Sequence, residues 1–361
     1  MAKAFDTVDH EILLKKLDRY GIRGLPLKLL KSYLTNRTHL TRYNGIDSEI
    51  QKINIGVPQG SILGPLLFLL FINDLPKVTK FNVKLFADDT FLSMKGNDLK
   101  SLEKNANVEM KKISNWFSTN KLTLNVEKSK FMIIKRRNTV SYDSFILKYN
   151  RKRMERCSSY KYLGIYLDEK LNWKIHINYL CEKLSKLCGM FAKLRHCCGI
   201  ELLKTIYHAL VESHLQYCNI IWGNANETIL EPLIKLQDKI IRIMCFLPNN
   251  GDDMKPIYEK LGLLNVKLLN KLTTAKFMYK FKNNKLPKSF ENFFRPSSTN
   301  QRYPLRNRNV QDYVCEWGRT NYGMKRLQYE GVQLWNAISP SIRNASNIKV
   351  FSKMYKTFLL E

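Results

Sequence analysis

The chain has 361 residues, of which 44% are hydrophobic, so it is long enough for two domains with a real core, and wholesale disorder is not expected. It carries 60 Lys and Arg against 31 Asp and Glu, a formal net charge of +29 that is spread through the whole chain. A charge surplus of this size causes self-repulsion, which argues against a merely basic soluble protein and predicts a polyanionic partner, nucleic acid in the first place.

The first predicted elements are two helices and a hairpin. Asp9 suits the N-cap of a helix whose apolar stripe stops at Gly21. A second helix is predicted over 25–34. Two strands, 38–43 and 49–55, then flank Asn44-Gly45, which is a strong signal for a two-residue hairpin turn.

The middle of the chain mixes helices with strands. A loop over 56–60 leads into a helix over 61–73 that is apolar on all sides and therefore buried. An amphipathic helix is predicted over 98–118. Strands are predicted at 82–86, 90–94, 122–125, 130–134, 145–149 and 162–167. Up to about residue 168, this mixture predicts an α+β fold in which an antiparallel sheet is covered by helices.

The second half of the chain changes character. Residues 173–246 read as almost entirely helical, and a further helix is predicted over 266–281. The stretch 283–309 is polar and contains three prolines, which indicates a linker. Order is expected to return towards the C-terminus, where Trp335, Phe351 and Phe358 need burial.

The sequence contains only weak indications of a zinc site or of a membrane segment. The 8 cysteines form no C-x-x-C pair, and His214 with Cys218 is more typical of core packing than of zinc binding. No signal peptide opens the chain, so we expect reduced thiols without disulfide partners in an intracellular setting. The apolar run 62–72 is too short to span a bilayer, and no lipidation signal or basic amphipathic helix points to a membrane surface.

Asp88 and Asp89 are adjacent carboxylates at the turn between two apolar strands. Their mutual repulsion in a half-buried place is relieved by a divalent cation, and Mg²⁺ prefers carboxylates combined with substrate phosphates. Because neighbours in a strand face opposite ways, and Asp88 shares the parity of Phe86, one aspartate should be the principal ligand and the other auxiliary. Taken alone, the pair is also compatible with an ordinary acidic turn.

Five segments in this order resemble the reverse transcriptase of non-LTR (LINE-type, Jockey-like) retrotransposons. They are Lys3-Ala4-Phe5-Asp6-Thr7-Val8-Asp9-His10, Gly56-Val57-Pro58-Gln59-Gly60 with its continuation to Pro65, Phe86-Ala87-Asp88-Asp89, Asn120-Lys121-Leu122-Thr123-Leu124-Asn125 followed by Lys128, and Tyr160-Lys161-Tyr162-Leu163-Gly164-Ile165. The segments Leu215-Gln216-Tyr217-Cys218 and Leu334-Trp335-Asn336 extend the resemblance over nearly the whole chain. It implies an RNA-directed DNA polymerase that uses two Mg²⁺ ions, with Asp88 and Asp89 as catalytic metal ligands.

The resemblance also implies roles for residues around the nucleotide. Phe5 matches the bulky residue that lies under the incoming sugar and excludes a 2′-hydroxyl. Pro58, Gln59 and Gly60 match the loop that lies against the nascent base pair. Lys128 would protonate or neutralise the leaving pyrophosphate, although Lys130 is a close competitor. For each of these residues an ordinary structural role is the alternative.

By the same resemblance, Tyr162, Leu163 and Gly164 would grip the primer end. The implied organisation is a palm over 1–168, a helical thumb over 169–282, a linker over 283–309 and a small C-terminal region over 310–361. The implied partners are an RNA template, a DNA primer and deoxynucleotides, and the implied location is the nucleus.

One departure from the family pattern bears on activity. The first metal-binding aspartate of the family would fall one residue before Met1, and neither Asp6 nor Asp9 occupies its place. The fingers that would precede that aspartate are missing as well, so we expect this polypeptide alone to have little or no polymerase activity. The alternative function is a non-catalytic protein that binds RNA or RNA–DNA duplex.

Overall fold

The computed structural model describes residues 4–134, 145–248, 253–297, 313–318 and 320–361. The chain divides into two compact units, Met1–Tyr160 and Lys161–Glu361, each of which is described by itself. Within the described residues no helix is long and apolar enough to cross a membrane.

The described residues of the first unit form four α-helices. They are α1 (His10–Arg19), α2 (Leu25–Leu34), α3 (Leu63–Ile72) and α4 (Leu99–Thr119), with short 3₁₀ turns at Ala4–Thr7 and Leu75–Lys77. Asp9 caps α1 by accepting from the Ile12 N–H at 3.0 Å, and Asp98 caps α4 by accepting from the Ser101 N–H at 2.8 Å. The predicted N-cap at Asp9 is therefore confirmed, because this bond satisfies a helix donor that otherwise has no partner.

The strands of the first unit form separate two-stranded ladders. They are β1 (Arg37–His39) with β4 (Gln51–Ile53), β2 (Arg42–Tyr43) with β3 (Ile46–Asp47), β5 (Asn82–Phe86) with β6 (Asp89–Ser93), β7 (Lys130–Phe131) with β10 (Glu155–Arg156), and β8 (Lys148–Tyr149) with β9 (Lys152–Arg153). The mixture of helices and strands agrees with the α+β prediction. A single antiparallel sheet is not seen among the described residues, and the β7–β10 pair is parallel.

The core of the first unit lies between α1, α3 and α4. Leu13 and Leu17 of α1 are fully buried, as are Phe68 and Phe71 of α3. Lys16 is drawn into this core, where its Nζ donates to the Phe71 carbonyl at 2.7 Å and to Asp74 Oδ1 at 2.8 Å. Burial lowers the pKa of Lys16, and Asp74 partly offsets that cost by pairing with the charged form.

The second unit is almost entirely helical. A hairpin of β11 (Ser159–Tyr162) and β12 (Ile165–Asp168) stands at its start. The helices are α5 (Lys174–Leu194), α6 (Ile200–Tyr207), α7 (Ser213–Gln216), α8 (Asn219–Trp222), α9 (Glu227–Met244), α10 (Lys255–Leu261), α11 (Val266–Lys282), α12 (Asn321–Met324), α13 (Leu327–Ala337), α14 (Pro340–Arg343) and α15 (Ile348–Leu360). A π-helical turn, His208–Glu212, joins α6 to α7, and a left-handed Cys218 separates α7 from α8.

A polar network crosses the core of the second unit. The buried Gln237 side chain donates to Tyr207 Oη at 2.7 Å and to the Leu264 carbonyl at 3.0 Å, and it accepts from the Val266 N–H at 3.0 Å. Each polar atom of the amide is therefore paired, as a buried amide requires. The network ties α9 to α6 and to the start of α11.

The C-terminal helices share this core. Phe351 of α15 stacks on Tyr279 of α11 with ring centroids 4.6 Å apart, and Trp335 of α13 is fully buried. The predicted burial of Phe358 is wrong, because its ring is 53% exposed in the last, uncovered turn of α15. Part of the predicted linker, 298–309, lies outside the described residues, and within the remainder Phe294 is buried.

Candidate active site

Asp88 and Asp89 stand at the tip of the β5–β6 hairpin. The cross-strand pair Phe86↔Asp89 closes the hairpin, so Ala87 and Asp88 form the two-residue turn and Asp89 begins β6. Ala87 takes the left-handed conformation that such a turn needs, with φ 48°. Strand β6 therefore starts one residue earlier than predicted.

This turn changes which aspartate lies on the same face of the hairpin as Phe86, for which the sequence had predicted Asp88. Residues that pair across an antiparallel ladder point to the same face, so Asp89, and not Asp88, lies on the face of Phe86. The opposite face carries Val83 and Leu85, which pack against the core of the unit. The predicted parity was wrong because it treated 84–89 as one continuous strand, whereas the chain reverses direction at Ala87-Asp88.

Both carboxylates are exposed, which differs from the half-buried setting expected from the sequence. Adjacent exposed carboxylates are suitable ligands for Mg²⁺, which binds through one or two carboxylates and completes its shell with water and phosphate oxygens. Within the described residues no cluster of three or more His, Cys, Asp or Glu side chains could hold a metal ion. The hairpin therefore fits a divalent ion as part of a ligand set and not as a complete protein cage.

The 3₁₀ segment at residues 4–7 and the loop 56–60 form one connected substructure. The Val57 N–H donates to the Phe5 carbonyl at 2.7 Å, and the Gly56 N–H donates to the Val8 carbonyl at 2.8 Å. His10 Nε2 lies 2.6 Å from the Gly56 carbonyl. Two of the segments singled out from the sequence are thus hydrogen-bonded to each other.

Gln59 and Asp6 add a side-chain link between these segments. Gln59 Nε2 donates to Asp6 Oδ1 at 2.7 Å, and both residues are exposed. The sequence had assigned Gln59 a contact with the nascent base pair and had given Asp6 no partner. In the structure the Gln59 amide is oriented by Asp6, a contact across 53 residues that local sequence patterns do not reveal.

Phe5 lies at the edge of the core. The half-buried Phe5 packs its ring on Phe68 of α3 with centroids 4.7 Å apart, so the ring is held in place. A half-buried aromatic of this kind can present a rigid wall to a ligand, which a fully buried ring cannot do.

The turn before α3 depends on small residues. Ser61 Oγ donates to the Pro58 carbonyl at 2.8 Å and accepts from the Gly64 N–H at 2.9 Å. A Cβ at Gly64 would lie only 2.4 Å from the Pro58 carbonyl oxygen, so this position has no room for a side chain. Gly60 has φ 82° with nothing near its missing Cβ, and it leaves the loop surface open.

Lys128 and Lys130, the two candidates for contact with the leaving pyrophosphate, have different surroundings. Lys130 Nζ binds Glu155 Oε1 at 2.8 Å, and this hydrogen bond holds the pKa of Lys130 above its usual value. Lys128 is exposed at a turn in which its backbone N–H donates to Asn125 Oδ1 at 3.1 Å. Its Nζ forms no salt bridge within the described part of the chain. Of the two side chains, that of Lys128 is the one available to a ligand.

Lys121 is a site neighbour that sequence reasoning missed. Its Nζ donates to Asp9 Oδ2 at 2.7 Å, across 112 residues of chain. Burial alone would raise the pKa of Asp9, but the hydrogen bonds from Lys121 and the Ile12 N–H lower it below its usual value. The pair links the cap of α1 to the segment Asn120–Asn125, where the predicted strand 122–125 is absent.

In the second unit, Leu163 and Gly164 form the turn between β11 and β12. Both have positive φ, 45° and 83°, as a tight two-residue turn requires. Tyr217 Oη donates to the Leu163 carbonyl at 2.7 Å, and a Cβ at Gly164 would lie 3.0 Å from the Tyr217 ring. Tyr217 therefore fixes the turn, a role that its place in the Leu215–Cys218 segment did not reveal.

Two lysines surround an aromatic pair beside that hairpin. Lys161 Nζ lies 4.9 Å from the Tyr179 ring centroid and 3.3 Å from its Oη, and Lys183 Nζ lies 5.0 Å from the same ring. Tyr166 packs on Tyr179 with centroids 5.0 Å apart. The lysines, Lys183 first, lower the pKa of Tyr179 because they favour the phenolate. The surface next to the turn is thus aromatic and positively charged.

The first unit is similar to one known protein family. Residues 1–167 match the family model "Reverse transcriptase (RNA-dependent DNA polymerase)". This match covers the segment around Phe5, the 56–60 loop and the acidic hairpin, so residues 1–167 are similar to that family at all three places.

Two curated relatives of the chain are named as polymerases of mobile element jockey. The RNA-directed DNA polymerase from mobile element jockey of Drosophila melanogaster is 29% identical over 303 residues, which covers 76% of this chain and 33% of the relative. The protein of the same description from Drosophila funebris is 26% identical over 285 residues, covering 72% and 31%. The chain therefore spans about a third of the length of these relatives.

Proposed function

We propose that this chain supplies the catalytic hairpin and the primer-binding helices of an RNA-directed DNA polymerase that copies element RNA into DNA. The observation that carries this proposal is the exposed pair Asp88-Asp89 at the tip of β5–β6, within the segment that matches the reverse transcriptase family. The relatives named as polymerases favour this function over nucleic-acid binding without chemistry.

In the proposed mechanism the side chains of this chain position the substrate. When bound, Mg²⁺ neutralises phosphate charge and activates the primer hydroxyl. Asp88 and Asp89 would hold this ion, and Asp89 shares the face of Phe86. The half-buried Phe5 ring forms a wall under the incoming sugar, which disfavours a 2′-hydroxyl on steric grounds.

The other proposed roles belong to a lysine that is free to contact a ligand and to two loops that hydrogen bonds hold in place. The 56–60 loop lies against the new base pair, and its shape is set by the bonds to Phe5, Val8 and Asp6. Lys128 supplies positive charge or a proton to the leaving pyrophosphate, since Lys130 is paired with Glu155. The Leu163–Gly164 turn, held by Tyr217, contacts the primer backbone.

The test of the metal site uses iron in place of magnesium. Fe²⁺ bound at the hairpin, with ascorbate and peroxide, cleaves nearby backbone, so we expect fragments ending near residues 86–90 when RNA template, DNA primer and deoxynucleotide are present. The double variant Asp88→Asn/Asp89→Asn should lose these fragments, because amides bind hard cations far less well than carboxylates. The matched control is Asp18→Asn, an exposed carboxylate on α1.

Primer extension with Mg²⁺ accompanies this mapping. Any extension by the chain should fall by at least about a hundredfold in Asp88→Asn and remain in Asp18→Asn, since metal electrostatics dominate this chemistry. Cleavage near residues 86–90 that persists in the double variant, or extension that does not depend on Asp88, would refute the proposed site.

A further inference from the structure

The second unit carries a groove lined by lysines that none of the proposed catalytic steps uses. It lies between α11 and α15 and has a volume of about 410 Å³. Its lining residues are Lys276, Ile348, Lys349, Ser352, Lys353 and Lys356. None of these is an acidic residue, so the groove presents four positive charges around an apolar floor.

The two helices that form the groove are unusual in charge. Helix α11 carries five lysines and α15 carries three, and neither contains an Asp or a Glu. Helix α4, which also has many lysines, interleaves them with Glu103 and Glu109. Like charges on packed helices repel, so this arrangement destabilises the unit unless an anion binds.

Neutralisation within the protein does not explain the groove lysines. Lys267, at the far end of α11, pairs with Glu227 at 2.5 Å. Lys276, Lys349, Lys353 and Lys356 form no salt bridge with any residue in the part of the chain that the structure describes. Their charges are therefore available to an external anion.

The spacing of the lysines suits a repeating anion. Lys349, Lys353 and Lys356 lie at i, i+4 and i+7 on α15, which places them on one side of the helix along about 10 Å. The phosphates of a nucleic-acid strand repeat at regular intervals, so a row of lysines of this length can contact up to about three of them. Lys276 faces the row from the other wall of the groove.

We propose that the α11–α15 groove is a second nucleic-acid-binding surface that holds the phosphate backbone of a strand. It requires no polymerase chemistry and is therefore independent of the function proposed for the hairpin. An anionic membrane is the rival occupant. A strand is the occupant we propose, because the regularly spaced lysines of α15 and Lys276 of α11 match a linear row of phosphates.

The experiment measures binding of the full chain to a labelled single-stranded RNA across a range of salt concentrations. The variant Lys349→Gln/Lys353→Gln/Lys356→Gln removes the three positive charges that α15 contributes to the groove. We expect at least about tenfold weaker binding and a log–log salt slope reduced by about two, since each lost phosphate contact on a single strand lowers the slope by about 0.7. The variant with Arg at the same three positions should bind like the parent chain.

The matched control removes the same charge from another helix. Lys100→Gln/Lys104→Gln/Lys111→Gln alters exposed lysines of α4 and should leave affinity and slope within about twofold of the parent, because Glu103 and Glu109 on the same helix weaken its attraction for a polyanion. Circular dichroism and thermal unfolding of each variant establish that the fold is kept.

Two results would overturn the proposal that this groove binds a nucleic-acid strand. One is a groove variant whose RNA binding equals that of the α4 variant. The other is unchanged RNA affinity with loss of binding to phosphatidylserine vesicles, which would assign the groove to a membrane. Because Asp88 and Asp89 are intact in the groove variant, iron cleavage at the hairpin reports separately on the polymerase proposal.

Discussion

At the scale of single residues, Gly56 combines a positive φ with a close backbone contact. Its φ is +89°, and a Cβ there would lie 2.9 Å from the Asp6 carbonyl oxygen. Its own N–H and carbonyl are both used, by Val8 and His10. The close approach of two chain segments therefore requires glycine for both conformation and space.

We predict that Gly56→Ala destabilises the first unit by more than about 2 kcal/mol, because a strained conformation is combined with a backbone clash. Gly60→Ala is the matched control, since φ is similar at +82° but nothing lies within 4 Å of the new methyl group. It should cost about 1 kcal/mol. Urea unfolding of both variants gives the comparison, and equal losses would show that the contact with Asp6 has no effect.

At the scale of elements, α5 contains a histidine that has lost contact with water. His176 is 2% exposed, its Nδ1 lies 3.4 Å from the Tyr166 N–H, and its Nε2 has no partner among the described residues. Burial lowers the pKa of His176 to about 4 from an ordinary value of 6.5. The folded protein therefore holds this ring neutral under conditions in which the unfolded chain protonates it.

Stability should consequently fall as the pH decreases from 6.5 towards 4, because in this range the unfolded state binds one more proton than the folded state. The expected loss is on the order of 2 kcal/mol after allowance for solvent screening. Denaturant unfolding of the second unit at several pH values measures it. His176→Leu should flatten this dependence and His196→Leu, an exposed position, should not. A dependence that is unchanged in His176→Leu would contradict the assignment.

Some of the helices could be predicted from the sequence, whereas one predicted strand was not found. Helix α2 was predicted over the residues it occupies, 25–34, and α11 was predicted to within one residue, because capping and periodicity are local signals. The predicted strand 122–125 was wrong because a strand needs a partner elsewhere in the chain, and Lys121 there turns to a positive φ of 54°.

Some features of the candidate site could likewise be predicted from the sequence, and others could not. The cap at Asp9 and the hairpin at Asp88-Asp89 could be read from neighbouring residues. The bond from Gln59 to Asp6 and that from Lys121 to Asp9 could not, because each joins residues that are far apart in the chain. Helix α15 shows the limit of periodicity, since Phe351 and Phe358 share a face but only Phe351 is covered.

At the scale of the whole molecule, the residues that the structure describes form two hydrophobic cores. One comprises buried residues between Ala4 and Tyr149, and the other comprises buried residues between Ile177 and Tyr355. Each core belongs to one of the two compact units. Separate cores imply that each unit has its own stability.

We therefore predict that core truncations act on one unit at a time. Leu13→Ala and Leu184→Ala each remove a fully buried side chain and should each cost about 3 kcal/mol. Hydrogen exchange resolved by segment should show faster exchange in 10–117 for the first variant and in 177–355 for the second. Both variants loosening both segments equally would show instead that the chain unfolds as one cooperative body.

The contact between Gln59 and Asp6 has a consequence for inheritance. Because the amide is oriented by that carboxylate at 2.7 Å, the two positions are expected to vary together among related sequences. A copy that loses the acid at position 6 releases selection on the amide at position 59, although 53 residues separate them. Paired losses at these two sites would therefore date the point at which a lineage stopped depending on this loop.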